Sequence, residues 1–464
     1  MYFQTRTLDG NADLVELHEL NPSRYPYVLA STASSGDNGR FDVLFAFPQQ
    51  QLRLDGDALH SDVDGLTTQA GFLKAYDDWW SRLKVERPKV EHRRVDTALP
   101  FTGGWFIYLG YELAGEIEPS LMLPSTSAQL PIAMAVRCPA AIIRDRRSGD
   151  TIALAESEQS QLLDELEHDF MALAKVAARP SVASLIARNI SEAPVQDYLR
   201  QVERIKQYIV DGDIFQANLS RPWRLTIDAK IRDATIFRRL ARTNPGSFAV
   251  LARLPRMTVI SSSPERLVSV RANTIETRPI AGTRPRAVHV DDDSRLAAEL
   301  MQHPKERAEH IMLIDLERND LGRICVPGSI HVDELMTLET YQHVHHIVSN
   351  VNGRLRSEVT PADVIRAVFP GGTITGCPKV RCMEILAEME QQPRGAYTGS
   401  IGYINRNGDM DLNILIRTLV RMGDSVSFRA GGGIVADSVP LHELAETRAK
   451  AKGLLQVFAL ERPA

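Results

Sequence analysis

The 464-residue chain is short of cysteine, with only Cys138, Cys325, Cys377 and Cys382. No two of them form a C-x-x-C pair, and the nearest two, Cys377 and Cys382, have no His-x-x-x-His run beside them, which argues against a structural zinc site or a disulfide framework. Nowhere does an apolar run reach the roughly 18 residues that a membrane-spanning helix needs. Charge of one sign is also missing: 54 Lys and Arg stand against 59 Asp and Glu, a formal net charge of -5, so nothing attracts nucleic acid or an acidic membrane surface. The opening Met1-Tyr-Phe-Gln-Thr-Arg6, soon followed by Asp9, Asp13 and Glu16, lacks the basic-then-apolar order of a secretion signal. A soluble protein of a reducing compartment, the cytoplasm, is the expectation.

What is present is ordinary globular composition, 44% hydrophobic and 24% charged, in a chain long enough to bury a large core. Residues 25 to 160 read as short apolar, β-branched runs such as Phe41-Asp-Val-Leu-Phe-Ala-Phe47, separated by turn clusters, and predict a sheet-rich region. A helix is expected from about Gln159 to Ala178, with a boundary between 179 and 194, giving regions 1–190 and 191–464. Beyond Pro194, the spacing of Val195, Tyr198, Leu199, Val202, Ile205 and Ile209 predicts a helix ended by Gly212. Strands follow at Ile214–Ser220, Phe248–Ala252 and Val259–Ser262, with helices from about Pro304, Pro361 and Pro440. The class is α+β rather than a regular βαβ alternation.

Two motifs each place glutamates three residues apart: Glu306 and Glu309 in Lys305-Glu-Arg-Ala-Glu-His310, and Glu443 and Glu446 in Glu443-Leu-Ala-Glu-Thr-Arg-Ala-Lys450. On a helix these share a face, and two such faces brought together make a carboxylate cluster that a divalent cation would neutralise; oxygen-only ligands favour Mg2+ over zinc. Taken singly, either motif reads first as a solvated helix face with i,i+4 ion pairs.

Phe369-Pro-Gly-Gly-Thr-Ile-Thr-Gly-Cys-Pro-Lys379 spaces Gly371 and Gly376 as in a phosphate loop, but Cys377 and Pro378 stand where that loop needs Lys and a hydroxyl, which rules the loop out. The glycines, Thr373 and Thr375 can still present donors to a carboxylate, or form a plain strand-to-helix turn. Ala430-Gly-Gly-Gly-Ile434 permits close approach to a ligand or marks a bulge. Arg417 lies in the strand-like run Asn413-Ile-Leu-Ile-Arg-Thr-Leu-Val420, where it needs an anionic ligand or an internal acid. Strand alternation would point His343 and His345 one way and His346 the other, so a zinc cluster is set aside and His346 is kept as the functional candidate.

Ser261-Ser-Ser-Pro-Glu-Arg266, Pro279-Ile-Ala-Gly-Thr-Arg284, Lys305 to Gly322, Gly371 to Lys379 and Glu443 to Lys450 occur in one order that resembles the chorismate-utilising enzymes, a family that includes anthranilate, aminodeoxychorismate, isochorismate and salicylate synthases. The resemblance is dense from about 194 to 457. It implies two large antiparallel sheets in a sandwich, helices outside, and the active site in the cleft. It further implies that Glu309 and Glu446 hold Mg2+ with Glu306 and Glu443 in support, and that Glu265 protonates the departing 4-hydroxyl. His346, Thr373, Arg417, the Gly431, Gly432 and Gly433 amides, Lys450 and Tyr397 would line the chorismate pocket.

Thr373-Ile-Thr-Gly-Cys-Pro-Lys379 and Gly431-Gly-Gly-Ile-Val-Ala-Asp437 look more like the aminodeoxychorismate synthases, whose ammonia comes from a glutamine amidotransferase subunit; no G-x-C-x-G nucleophile setting is present in this sequence. Ala281 departs from that branch, because many of its members carry a nucleophilic lysine there and anthranilate synthases do not. Ala217 stands where isochorismate and salicylate synthases tend to carry a lysine. The competing readings are therefore anthranilate synthase component I and, in another class, a catalytically silent regulatory homologue, which the intact glutamates oppose.

Overall fold

The computed structural model describes residues 2–32, 39–86, 99–127, 130–174, 185–287, 289–340 and 344–460. Its strands form two large sheets, one of 13 strands and one of 11, whose neighbouring strands run antiparallel except where Ile186–Glu192 meets Ala459–Leu460. Strands from both sides of residue 190 interleave in each sheet. Tyr27–Ala30 pairs with Phe248–Leu254 in the larger sheet, and Gly104–Leu109 pairs with Ser400–Asn405 in the smaller.

The two sheets pack face to face. Their shared core contains Tyr27, Phe45, Val250 and Val259 from the larger sheet and Phe106, Tyr108, Met134 and Ile401 from the smaller. At its centre Tyr27 and Phe106 stack with ring centroids 3.7 Å apart. Helices close the outer faces: Leu162–Ala174 and Asp233–Thr243 over the larger sheet, Phe72–Leu83 and Pro361–Val368 over the smaller. The fold is α+β, a sandwich with helices outside.

Local sequence explains the helices. In Val195–Val210, Tyr198, Val202, Ile205 and Tyr208 are buried at helical spacing, while charged residues face water. Pro361–Val368 starts with a capping box between Thr360 and Asp363 and a proline in its first turn. Helices begin at Pro304 and Pro440 as the sequence predicts. The helix expected from Gln159 runs over Leu162–Ala174, and its expected continuation lies outside the described residues. The sheet-rich reading of 25 to 160 missed Phe72–Leu83: Phe72, Leu73, Ala75, Tyr76 and Trp79 are buried on one side of this helix, which covers the smaller sheet.

One expectation needs correction. The run from Asn413 to Val420 is not a single strand: Met410–Asn413 belongs to the smaller sheet, Thr418–Met422 to the larger, and the chain crosses between them at Ile414–Arg417. The apolar residues that mimicked a strand are apolar because Ile414 and Leu415 are buried between layers.

Candidate active site

The crossing at Ile414–Arg417 has a twin. Met257–Ser263 lies in the larger sheet and Arg266–Arg271 in the smaller, so Pro264 and Glu265 also pass from layer to layer. The two crossings run side by side: Ser261 pairs with Thr418, Arg266 with Asn413, the Ile414 N–H donates to the Glu265 carbonyl at 3.0 Å, and the Ser262 N–H donates to the Arg417 carbonyl at 3.1 Å. Glu265 and Arg417 stand where these two segments leave their sheets, and Arg417 adopts a left-handed backbone, φ 50°, a strained conformation of the kind found at functional sites.

The Glu265 side chain is buried and accepts a hydrogen bond from the Thr373 hydroxyl, 2.7 Å from Oε1. Burial pushes its pKa up to about 7, against the opposing pull of the Thr373 hydrogen bond and the Arg417 charge. Near neutrality this carboxyl is divided between acid and anion, the condition a general acid requires. Thr373 is placed by a single 3-10 turn, Gly372–Ile374. A Cβ on Gly372 would lie 2.5 Å from Leu316 Cδ2, so any side chain there would push the Leu316 side chain of helix Pro304–Gly322 aside.

His346 is buried on the strand Val344–Arg354, its Nδ1 3.3 Å from the Gly282 carbonyl, which identifies Nδ1 as the protonated nitrogen. Burial, reinforced by the Arg417 charge, lowers its pKa to about 4, so the ring is neutral at pH 7. Its neighbour His345 contacts Thr340 and Asp293 instead, as strand alternation requires; His343 lies outside the described residues. Ala281 is buried opposite Ile347 in the pairing of Ile280–Pro285 with this strand.

Gly431, Gly432 and Gly433 lie inside the strand Ser425–Ile434, paired without a bulge to Ser220, Leu219 and Asn218. Each lets something approach. A Cβ on Gly431 would stand 2.9 Å from the Tyr397 hydroxyl, on Gly432 3.3 Å from Glu446 Oε1, and on Gly433 2.2 Å from Gln216 Nε2. Lys450 Nζ donates to the Gly431 carbonyl at 2.8 Å and pairs with Glu446 at 2.8 Å. Tyr397 is buried and its pKa is raised to about 12, chiefly by burial, with Glu265 among the charges acting on it.

The four metal candidates come from two helices, Pro304–Gly322 and Pro440–Leu455. Glu309 Oε1 accepts from Gln216 Nε2 at 2.9 Å, Glu306 Oε1 from Arg284 at 3.2 Å, and Glu443 and Glu446 both act electrostatically on the Tyr198 phenol. Among the described residues no three acids, histidines or cysteines converge into a ready-made cage. The donor chemistry nonetheless suits a hard cation: every candidate ligand is an oxygen, and the buried Gln216 Oε1 beside Glu309 has no hydrogen-bond partner.

The sequence reading missed Gln216, whose amide bridges Glu309 to the glycine strand, and Glu317, buried behind the Gly372 turn with its pKa raised by burial and by Asp320. Glu317 stands within a motif already singled out, but on a helix its burial is set by what packs over it.

Comparison with known proteins places the chain in a family. Residues 30–456 match the family model for chorismate binding enzyme. Aminodeoxychorismate synthase component 1 of Bacillus subtilis is 37% identical over 469 residues, covering 97% of this chain and 94% of that protein. An anthranilate synthase component I-like protein of Synechocystis is 42% identical, covering 78% of this chain and 74% of that protein. The crystal structure of anthranilate synthase component I from Streptococcus pneumoniae superposes with a TM-score of 0.77 at 29% identity, covering 91% of this chain and 93% of that one. The chain thus belongs to the family of chorismate binding enzymes.

Proposed function

We propose that the protein is an aminodeoxychorismate synthase component I, which converts chorismate and ammonia into 4-amino-4-deoxychorismate and water. The observation that carries the reading is Glu265: a buried carboxyl with a pKa near 7, held by the Thr373 hydroxyl, is suited to protonate a departing hydroxyl at neutral pH. Arg417, Lys450 and the Gly431–Gly433 amides supply the donors for two substrate carboxylates, while the neutral His346 ring, its proton on Nδ1 toward the Gly282 carbonyl, presents Nε2 as an acceptor. Tyr397 borders the same strand.

Mg2+ would be held by Glu309 and Glu446, with Glu306 and Glu443 beside them, and would neutralise the substrate's ring carboxylate. Gln216, Arg284 and Lys450 occupy three of these acids as organic partners and would have to yield part of their contact.

The branch is supported by the near full-length match to the Bacillus subtilis protein and by the Thr373–Lys379 motif. With Ala281 in place of a lysine, ammonia or water adds at the ring carbon next to the ring carboxylate as the 4-hydroxyl leaves. Ammonia then enters at the vacated carbon and the first nucleophile departs. A glutamine amidotransferase subunit supplies the ammonia. The same Ala281 favours a second reading, anthranilate synthase component I.

Incubating the protein with chorismate, Mg2+ and ammonium, with and without a lyase that converts aminodeoxychorismate to para-aminobenzoate, separates the two. Para-aminobenzoate formed only with the lyase supports the proposal; anthranilate formed without it overturns the branch.

A further inference from the structure

Behind the site lies a buried ionic hub. Arg394 and Glu390 form an ion pair of which each side chain is 2% exposed. Glu390 also accepts from Arg429 at 2.8 Å and from the Ser220 N–H and hydroxyl, both at 2.9 Å. Arg429 and Ser220 belong to the two strands whose pairing carries Gly431.

The Arg394 guanidinium reaches further. It donates to the Asn218 carbonyl at 2.7 Å, to the Ile374 carbonyl at 3.2 Å and to the Thr398 hydroxyl at 3.3 Å. Asn218 faces Gly433, Ile374 follows Thr373 in its turn, and Thr398 follows Tyr397. The guanidinium also lies 4.7 Å from the Tyr111 ring centroid and 5.7 Å from that of Tyr397. Its own N–H is held by Glu112 Oε1 at 2.7 Å, which anchors the loop that carries it. Thr398 adopts φ 61°, a left-handed conformation that a β-branched residue rarely takes, and the Arg394 contact is one of those that hold it.

We infer that Arg394 is the positioning residue of this site, one planar guanidinium that fixes the Thr373 turn, the glycine strand and Tyr397 in a common frame. Only an arginine satisfies the geometry: its fork grips Glu390 at 3.0 and 2.7 Å and still meets three acceptors on separate segments. A lysine keeps the charge but has a single nitrogen. Freed from the Ile374 carbonyl, the Thr373 turn relaxes away from Glu265, leaving that carboxyl with Arg417 and Tyr397 beside it and Glu317 behind.

This inference rests on the chorismate reading proposed above, and the test separates the two. Chorismate consumption with Mg2+ and ammonium is followed from pH 6 to 9 in the wild type, Arg394→Lys and the control Arg137→Lys, which alters an equally buried arginine paired with Glu156 far from the site. In Arg394→Lys, kcat/KM falls on the order of 100-fold, the scale of a small misplacement at a reacting centre. The falling limb of its profile moves to higher pH, because the Thr373 hydroxyl no longer favours the ionised Glu265. Arg137→Lys shows neither change.

Equal losses in the two variants, or an unmoved limb in Arg394→Lys, overturn the inference. If Arg394→Lys does not fold, Thr398→Val removes one anchor and carries the same test, with an expected fall of roughly 10-fold; an unchanged rate overturns the inference. A wild type that leaves chorismate untouched sinks the proposed function instead. Amide hydrogen exchange at Thr373 and Gly431–Gly433 then decides the inference alone: faster exchange in Arg394→Lys but not in Arg137→Lys supports it, and unchanged exchange overturns it.

Discussion

Replacing Glu265 by Gln should damage activity and improve stability at once, because the property that makes the group useful is costly to the fold. Its carboxyl rises from the ordinary 4.5 to about 7, burial being the largest cause. Below pH 4.5 the group is protonated in folded and unfolded chains alike. Between 4.5 and 7 the unfolded chain ionises it while the folded chain does not, so the folded state loses relative stability as pH rises. Above 7 the loss is complete, on the order of 3 kcal/mol. Gln keeps the shape and can still accept from Thr373, but it does not titrate. Thermal unfolding should therefore show Glu265→Gln more stable than the wild type at pH 8 and similar at pH 4.5. Chorismate turnover should fall roughly 100- to 10,000-fold, the usual contribution of a general acid. The wild-type rate should decline as pH rises through about 7, as the proton to be donated is lost. A Gln variant that turns over within threefold of the wild type, or whose stability difference is the same at both pH values, refutes the reasoning.

The glycine strand makes a sharper distinction than its sequence suggests. Gly431→Ala drives a Cβ to 2.5 Å from the Leu219 carbonyl and should cost about 1–3 kcal/mol in denaturant unfolding, whereas Gly432→Ala meets only the movable Glu446 and Lys450 side chains and should fold normally. Gln216→Leu removes the amide that orients Glu309, so the Mg2+ concentration for half-maximal activity should rise on the order of 10-fold with the fold unchanged. Phe106→Ala empties the stacked pair at the centre of the sandwich and should cost about 3–5 kcal/mol in the same unfolding assay.

Much of this was legible in the residues. Helices announced by proline starts and 3.6-residue spacing appear where the sequence puts them, at Val195–Val210, Pro304–Gly322 and Pro440–Leu455. The run through Arg417 was misread because a chain buried between two sheets is as apolar as a strand buried within one, and only the pairing partners tell them apart. Glu265 and Arg417 are 152 positions apart in number yet are brought near one another by antiparallel sheet-to-sheet crossings, a relation that spacing cannot reveal. Gln216, Glu317 and Arg394 escaped notice for a related reason. Each acts through burial against a distant segment, and a Gln, Glu or Arg on a short local stretch reads as surface.

On the proposed function, the chain aminates chorismate at the carbon that carried the hydroxyl and leaves the enolpyruvyl group in place. Mass spectrometry of the product from chorismate, Mg2+ and 15N-labelled ammonium tests it most directly. The expected product has gained one labelled nitrogen, lost one hydroxyl and kept its three-carbon side chain. Labelled anthranilate with released pyruvate, or unaltered chorismate, would contradict it.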